Sequence, residues 1–323
     1  MKNYIAWCLV ALLSCCRGGG TSTDGNVADE VTADDSLVVV LTGDVLLDRG
    51  VRQQIDRHGV GWLFDGVSDL FHDADATIVN LECPLTDVAT PVGKKFIFRA
   101  DTEWAGELKK AGVTHAALAN NHTNDQGLQG VASTVKCLER QGIIPLGAGK
   151  TERERLTPII IYKGDVRVAV FNAVMLHLEN WMPDDEEAVV PNETDAATLA
   201  EAIRHYKAWH AADRVMVILH WGVEFQPYPS RSQRMQARML LNAGTDVIIG
   251  HHPHVVQTVE RIDGKTVMYS LGNFVFDQHS PDTKKALMAE VVISADTLYV
   301  KSVPVEIRNC KPVISGQVSL RCP

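Results

Sequence analysis

Five stretches of the chain are apolar runs rich in β-branched residues: Leu37–Leu41, ATIVNLE (76–82), THAALANNH (114–122), RVMVILHWG (214–222) and TDVIIGHH (245–252). A strand covered on both faces reads as such a run, whereas a half-exposed strand alternates. Helical spacing lies between them. TEWAGELKKAG (102–112) and GLQGVASTVKCLERQG (127–142) each end in a glycine stop, and the second places Leu128, Val131, Val135 and Leu138 on one face. DAATLAEAIRHYKAWHAA (195–212) and RSQRMQARMLLNAG (231–244) follow the same pattern. Strands alternating with helices predict an α/β sandwich with mainly parallel strands at its centre. The last third differs. An Asp263-Gly264 pair between two short apolar stretches predicts a hairpin, and KALMAEVVISADTLYVKSVPVEI predicts a second antiparallel pair. With no internal repeat and no long linker after residue 36, residues 37–323 are expected to form one domain with a β-rich C-terminal part.

The N-terminus breaks this pattern. MKNYIAWCLVALLSCCRGGG carries one early positive charge, Lys2, then an apolar run too short for a membrane-spanning helix. This fits a secretion signal, and LLSC resembles a bacterial lipoprotein signal in which Cys15, preceded by the small Ser14, receives the lipid. An ordinary cleaved signal is the alternative. Residues 1–15 are thus expected to be a lipoprotein signal peptide. Residues 16–36, rich in Gly, Thr, Asp and Ala, are expected to be a flexible tether. The domain would sit in the cell envelope, lipid-anchored to a membrane and facing outside the cytoplasm.

Composition narrows the field. Of 323 residues, 46% are hydrophobic and 22% charged, an ordinary globular balance, and the formal net charge is -9. Without a basic block, a nucleic-acid partner is not expected. Cys8, Cys15 and Cys16 belong to the signal. Cys83, Cys137, Cys310 and Cys322 form no CxxC pair, so nothing supports a thiolate zinc site. A Cys310–Cys322 disulfide and four free thiols both remain open.

The chemistry lies where the apolar runs stop. The series is Asp44; Asn80 and Glu82; Asn120, Asn121 and His122; His220 and Glu224; then His252 and His254. Parallel sheets gather their sites at the carboxyl ends of the strands, so these groups are expected in one pocket. Oxygen and imidazole donors suit Mn, Fe or Zn, as one ion or two. Each residue also has a plainer reading: Asp44 as a cap, Glu82 as a solvated carboxylate beside Pro84, ANNH as an asparagine turn, His220 as a core histidine. In IIGHHPHVV, Pro253 disfavours helix at His252 and predicts an extended chain. His252 and His254 would then share one side while His251 points away.

Six motifs, GDVLLDRG, NLECPL, ANNHTND, HWGVEF, GHHPHVVQ and YSLGNFVFD, resemble in sequence and order the bacterial capsule-synthesis family typified by CapA and PgsA, poly-γ-glutamate capsule proteins. The resemblance runs from about Leu37 to beyond Asp277. That family is similar in fold to the calcineurin-like metallophosphoesterases, which implies two mixed sheets flanked by helices. Carried over residue by residue, Asp44 matches the first aspartate ligand and Glu82 replaces the bridging aspartate. Asn121 and His122 match the Asn-His pair, His220 the distant histidine, and His252 and His254 the final His-x-His. Leu46 stands where another histidine ligand is expected. The resemblance implies a divalent ion that brings a bound water toward ionisation at neutral pH, with His122 as proton donor to the leaving group. Arg49 is then a candidate clamp for an anionic group. Glu224 is a candidate to orient His220 or bind metal, and Asn273 is a candidate to reach the pocket from the β-rich end.

The implied function is a cell-surface metal-dependent hydrolase of capsule, poly-γ-glutamate or envelope-polymer metabolism, cutting a phosphoester or an amide. Its partner would be an anionic polymer or a small phosphoester or γ-glutamyl substrate. The alternative is a non-catalytic polymer-binding assembly or export partner of a membrane polymer synthase. A general envelope phosphodiesterase is a third reading. No Gly-x-x-x-x-Gly-Lys loop is present, which argues against a stand-alone ATP-dependent ligase.

Overall fold

The computed structural model describes residues 36–179, 188–211 and 213–316. Two sheets face each other. Across the first run β16 (Lys311–Ile314), β15 (Leu298–Arg308), β14 (Lys285–Ile293), β1 (Leu37–Val45), β2 (Ala76–Leu81), β3 (His115–Ala117) and β4 (Ile144–Leu146), with β13 (Asn273–Val275) pairing beside β1. Across the second run β11 (Val259–Ile262), β12 (Lys265–Met268), β10 (Val247–His251), β9 (Arg214–His220), β7 (Val166–Val174) and β6 (Ile159–Lys163). β5 (Ala148–Gly149) and β8 (Val190–Pro191) form a small antiparallel pair. The inner strands β1 to β4 and β7, β9, β10 and β12 pair in parallel, while the outer ones pair antiparallel. Both sheets are therefore mixed.

The apolar runs are continuous because each inner strand is covered twice. Leu37, Val39, Leu41 and Ile78 of the first sheet meet Met216, Ile218, Val247 and Ile249 of the second in the interior of the sandwich. The alternate residues Val40 and Val79 pack under Val51, Ile55, Leu108 and Leu138 of the helices Arg49–His58, Trp104–Lys110 and Gly127–Arg140. Val215, Val217, Leu219 and Ile248 pack under Leu199, Ile203, Ala237 and Leu240 of the helices Ala196–Trp209 and Arg231–Asn242. The last helix begins with a capping box: Ser230 accepts from the Gln233 N–H and Gln233 caps Ser230 in return.

The predicted hairpin forms, with Asp263 and Gly264 both at positive φ (51° and 80°) as a two-residue turn between twisted strands requires. The second predicted antiparallel pair is β14 and β15. The 114–122 run yields only the three-residue β3, because the chain turns at Leu118–Asn124 and Asn172 Oδ1 accepts from the Ala119 N–H at 2.9 Å. The five-run pattern does not contain β6 and β7. The signal, residues 16–35 of the expected tether and Cys322 lie outside the described residues; Ser36, the last tether residue, is buried, and among the described residues Cys83, Cys137 and Cys310 are unpaired. Among the described residues no helix is long and apolar enough to cross a membrane.

One irregularity places the site. β1 and β2 register Leu41 with Ile78 but Asp44 with Asn80, so β1 contains one extra residue. Such a bulge reverses the face on which the following residues appear. Asp44 thereby turns inward, continuing the row that Leu37, Val39 and Leu41 began. The bulge needs Gly43, since a Cβ there would lie 2.1 Å from Gly272 O.

Candidate metal centre

Asp44, Asn80 and His220 occupy inward positions at the carboxyl ends of β1, β2 and β9, and they touch. Asn80 Nδ2 donates to Asp44 Oδ1 at 2.7 Å and lies 3.4 Å from His220 Nδ1. Glu82, one residue past β2, is fully buried, and its Oε1 lies 3.8 Å from both His220 Nε2 and His254 Nε2. Asp44 Oδ2 lies 3.1 Å from His254 Nδ1. Ligand atoms of Asp44, Glu82 and His254 fall within 4.8 Å of one another. Glu82 thus stands between an Asp44–His254 side and a His220 side.

The electrostatics ask for a cation. Neither Glu82 oxygen has a hydrogen-bond donor, and His252 Nδ1 is likewise unpartnered. A buried carboxylate without donors is strongly unfavourable unless protonated or paired. Burial, and then the charges of Asp44, Glu224 and Asp125, push Glu82 well above the usual carboxylate range. Burial also raises Asp44, but the hydrogen bond and charge of His254 outweigh it and leave Asp44 low. Burial holds His220 well below the usual imidazole value and pushes His252 down to about 3. Both rings are therefore neutral, the form that binds metal. Two buried carboxylates among neutral imidazoles fit a divalent ion at Asp44, Glu82 and His254, with His220, His252 and Asn121 within reach. His220 Nε2 shares a 2.8 Å hydrogen bond with Asn121 Oδ1, so ligation through Nε2 would exchange that bond for a metal bond.

Beside this cluster lies a chain of His122, Asp125 and Lys94. His122 Nδ1 is 2.8 Å from Asp125 Oδ2, whose other oxygen is 2.5 Å from Lys94 Nζ. An Nδ1–H directed at Asp125 leaves Nε2 to face the adjoining cavity of about 530 Å3, lined by Lys94, Lys95, Asn121, His122, Glu224 and His252. Burial lowers His122 despite Asp125, so this ring too is neutral. Asn120 shapes the turn: its Oδ1 accepts from the His122 N–H and its Nδ2 donates to Leu81 O.

The structure thus brings together Asp44, Glu82, Asn121, His122, His220, His252 and His254. Asn273 reaches the same place, its Oδ1 bonded to His254 Nδ1 at 2.9 Å and its Nδ2 donating to Gln278 and Thr283. It orients His254. Arg49 stands further back, its guanidinium paired with Asp277. Glu224 is exposed on the rim, while the His220 nitrogens are taken by Asn80 and Asn121. Leu46 is buried on the helix-covered face of the first sheet, its N–H bonded to Val275 O.

The extended chain expected at His252–His254 is not found. His252 and His254 have φ of 95° and 58°, so the segment coils in left-handed conformations. The two rings still converge, 6.1 Å apart, through this turn and not through strand alternation. His251 ends β10 pointing across the sandwich, its Nε2 bonded to Thr42 O at 2.8 Å. Sequence reasoning missed Asp125 and Lys94. The three-residue spacing from His122 to Asp125 was the available signal for the first; nothing local marks Lys94.

Two mixed sheets with helices on both outer faces, and a carboxylate–imidazole cluster at their strand ends, define the calcineurin-like metallophosphoesterase class of fold. A putative 5′-nucleotidase from Staphylococcus aureus, solved with alpha-ketoglutarate, has this fold: TM-score 0.54, 13% identity, 89% of this chain and 56% of that one covered. The chain spans little more than half the length of that structure, and the likeness concerns the fold alone. Within this class the chain belongs to the bacterial capsule synthesis protein PGA_cap family, whose sequence model matches residues 38–278. It is 29% identical to the PGA biosynthesis protein CapA of Bacillus subtilis (strain 168) over 302 residues, covering 90% of this chain and 76% of that protein. It is also 29% identical to the capsule biosynthesis protein CapA of Bacillus anthracis over 290 residues, covering 87% and 71%.

Proposed function

We propose that this chain is an accessory protein of capsule, poly-γ-glutamate or related envelope-polymer metabolism, and that its cluster is the metal centre of a hydrolase acting on a phosphoester or amide bond. The family and the CapA relatives support the first part. The second is carried by Glu82, a fully buried carboxylate with two unpartnered oxygens, 3.8 Å from two imidazoles. A divalent ion would supply Lewis acidity and a more acidic water. The chain's own part is to hold the reacting group between Glu82 and His122. His122 Nε2, unprotonated in this tautomer, would first take a proton from the attacking water and then pass it to the leaving group, while Asp125 fixes the tautomer. Exposed Lys95 at the cavity mouth would draw in an anionic substrate. We extend the proposal to residues outside the described ones: Cys15 carries a lipid, and residues 16–35 tether the domain outside the cytoplasm.

The test is elemental analysis of the purified mature domain beside a panel of phosphoesters and γ-glutamyl peptides. The expected result is bound Mn, Fe or Zn, with activity lost in His252→Ala and Glu82→Ala. No transition metal, together with unchanged activity in both variants, sinks the reading. Polymer binding that survives metal removal, with no hydrolysis, would instead establish the non-catalytic partner of a polymer synthase.

A further inference from the structure

Arg49 opens its helix in the left-handed region, at φ 52°, where residues other than glycine are uncommon. Its guanidinium pairs with one oxygen of Asp277, and the other oxygen accepts from the Gly50 N–H at 2.9 Å. The guanidinium carbon lies 4.9 Å from the centre of the Phe98 ring and 5.5 Å from that of Phe276. Each ring leads on to the site. Phe98 stands 4.1 Å from the His122 ring, and Phe276 stands 4.8 Å from the His254 ring. The Phe98 N–H also donates to Asp125 at 2.7 Å. The outcome is a row of five groups, His122, Phe98, Arg49, Phe276 and His254. It joins the turn after β3 in one sheet to the turn after β10 in the other.

We propose that Arg49 is a positioning residue that fixes the spacing of His122 and His254 through the two phenyl rings. It does not bind the substrate's anionic group. The inference rests on reading the cluster as a metal centre. A guanidinium is suited to this place because its planar faces can lie against two aromatic rings while its edge pairs with a carboxylate. Arg49 Nε is buried without a partner, but an anion bound there would lie beside the Asp277 carboxylate that already neutralises the guanidinium.

The experiment compares Arg49→Met, Arg49→Lys and Phe276→Leu in the full domain with Lys311→Met. Lys311 Nζ lies 4.8 Å from the Trp62 ring, so the last variant removes a cation–aromatic contact on the helix-covered side. Two quantities are read: histidine ring NMR signals in EDTA, and Mn²⁺ affinity by calorimetry. Arg49→Met should move the His122 and His254 signals and weaken Mn²⁺ binding about tenfold or more. Arg49→Lys should do the same to a smaller extent, and Phe276→Leu should move His254 while sparing His122. Lys311→Met should change neither quantity. Unmoved histidine signals and unchanged Mn²⁺ affinity in Arg49→Met, with inorganic phosphate binding weakened, would make Arg49 an anion clamp and overturn the proposal. If the wild type binds no Mn²⁺, the metal reading fails separately, and the EDTA signals alone decide for or against the row. If Arg49→Met does not fold, Arg49→Lys and Phe276→Leu decide by the same criteria.

Discussion

Replacing Glu82 by glutamine should stabilise the metal-free protein and abolish its response to metal. The carboxylates of Asp44 and Glu82 offer ligand atoms no more than 4.8 Å apart in a fully buried site. At that separation an effective dielectric of about 20 gives about 3.5 kcal/mol of repulsion when both are charged. Burial already favours the proton on Glu82, so part of this is avoided at neutral pH, and the gain from glutamine lies below that figure. Its pH dependence has a definite sign. A carboxyl whose folded pKa is raised costs stability above its unfolded value of about 4.5, where the unfolded chain ionises freely. The advantage of Glu82→Gln should therefore shrink as pH falls toward 4.5. Metal works against that advantage. At about 100 times its dissociation constant, an ion that binds only the folded state adds about 2.7 kcal/mol, and the variant should gain little of this. Thermal melts at pH 7 in EDTA and in Mn²⁺ read both effects. At this size each kcal/mol moves the midpoint by roughly 2 °C. A variant that melts lower than wild type in EDTA, yet rises equally in Mn²⁺, would refute the argument.

Three further outcomes follow from the same geometry. His115, pushed down to about 4 chiefly by burial and then by Lys109, is neutral in the fold. The unfolded chain takes up its proton first, so stability should drop by about 3 kcal/mol between pH 6.5 and 4, a drop that urea midpoints should show missing in His115→Gln. Gly43→Ala should fail to give a soluble native protein, because its Cβ would fall 2.1 Å from Gly272 O; a wild-type melt from this variant would count against the bulge. Cys15→Ala should lose labelled palmitate and leave the membrane fraction, and retained label would exclude Cys15 as the lipid site.

The sequence reveals part of this site for a physical reason. Asp44, Glu82 and His220 end apolar runs, and a parallel sheet converts the ends of its runs into neighbours. What it hides depends on the chain's path between strands. The turn at His252–His254 takes positive φ at two histidines, which no residue preference announces. Arg49 finds Asp277 across 228 residues, a pairing invisible to any local window. Lys94 comes from an irregular segment without periodicity, and only the fold sets it against Asp125. β7, VRVAVFNAV, has the apolar character of the other runs but ends without a charged or imidazole side chain, and its Asn172 fixes the turn on which His122 stands. The spacing of Leu46 from Asp44 suggests a ligand position. The structure puts it on the other face of the sheet, under helices.

The bulged strand and its partner strands divide the ligands between two layers. Asp44 and Glu82 come from one sheet, and His220, His252 and His254 from the other. Neither layer alone offers the Asp44–Glu82–His254 set, so if the cluster holds an ion as proposed, full loading would follow the closing of the sandwich. Once seated, the ion would act as a rivet: pulling the sheets apart would cost the metal bonds, and stripping the metal would loosen the seam there first.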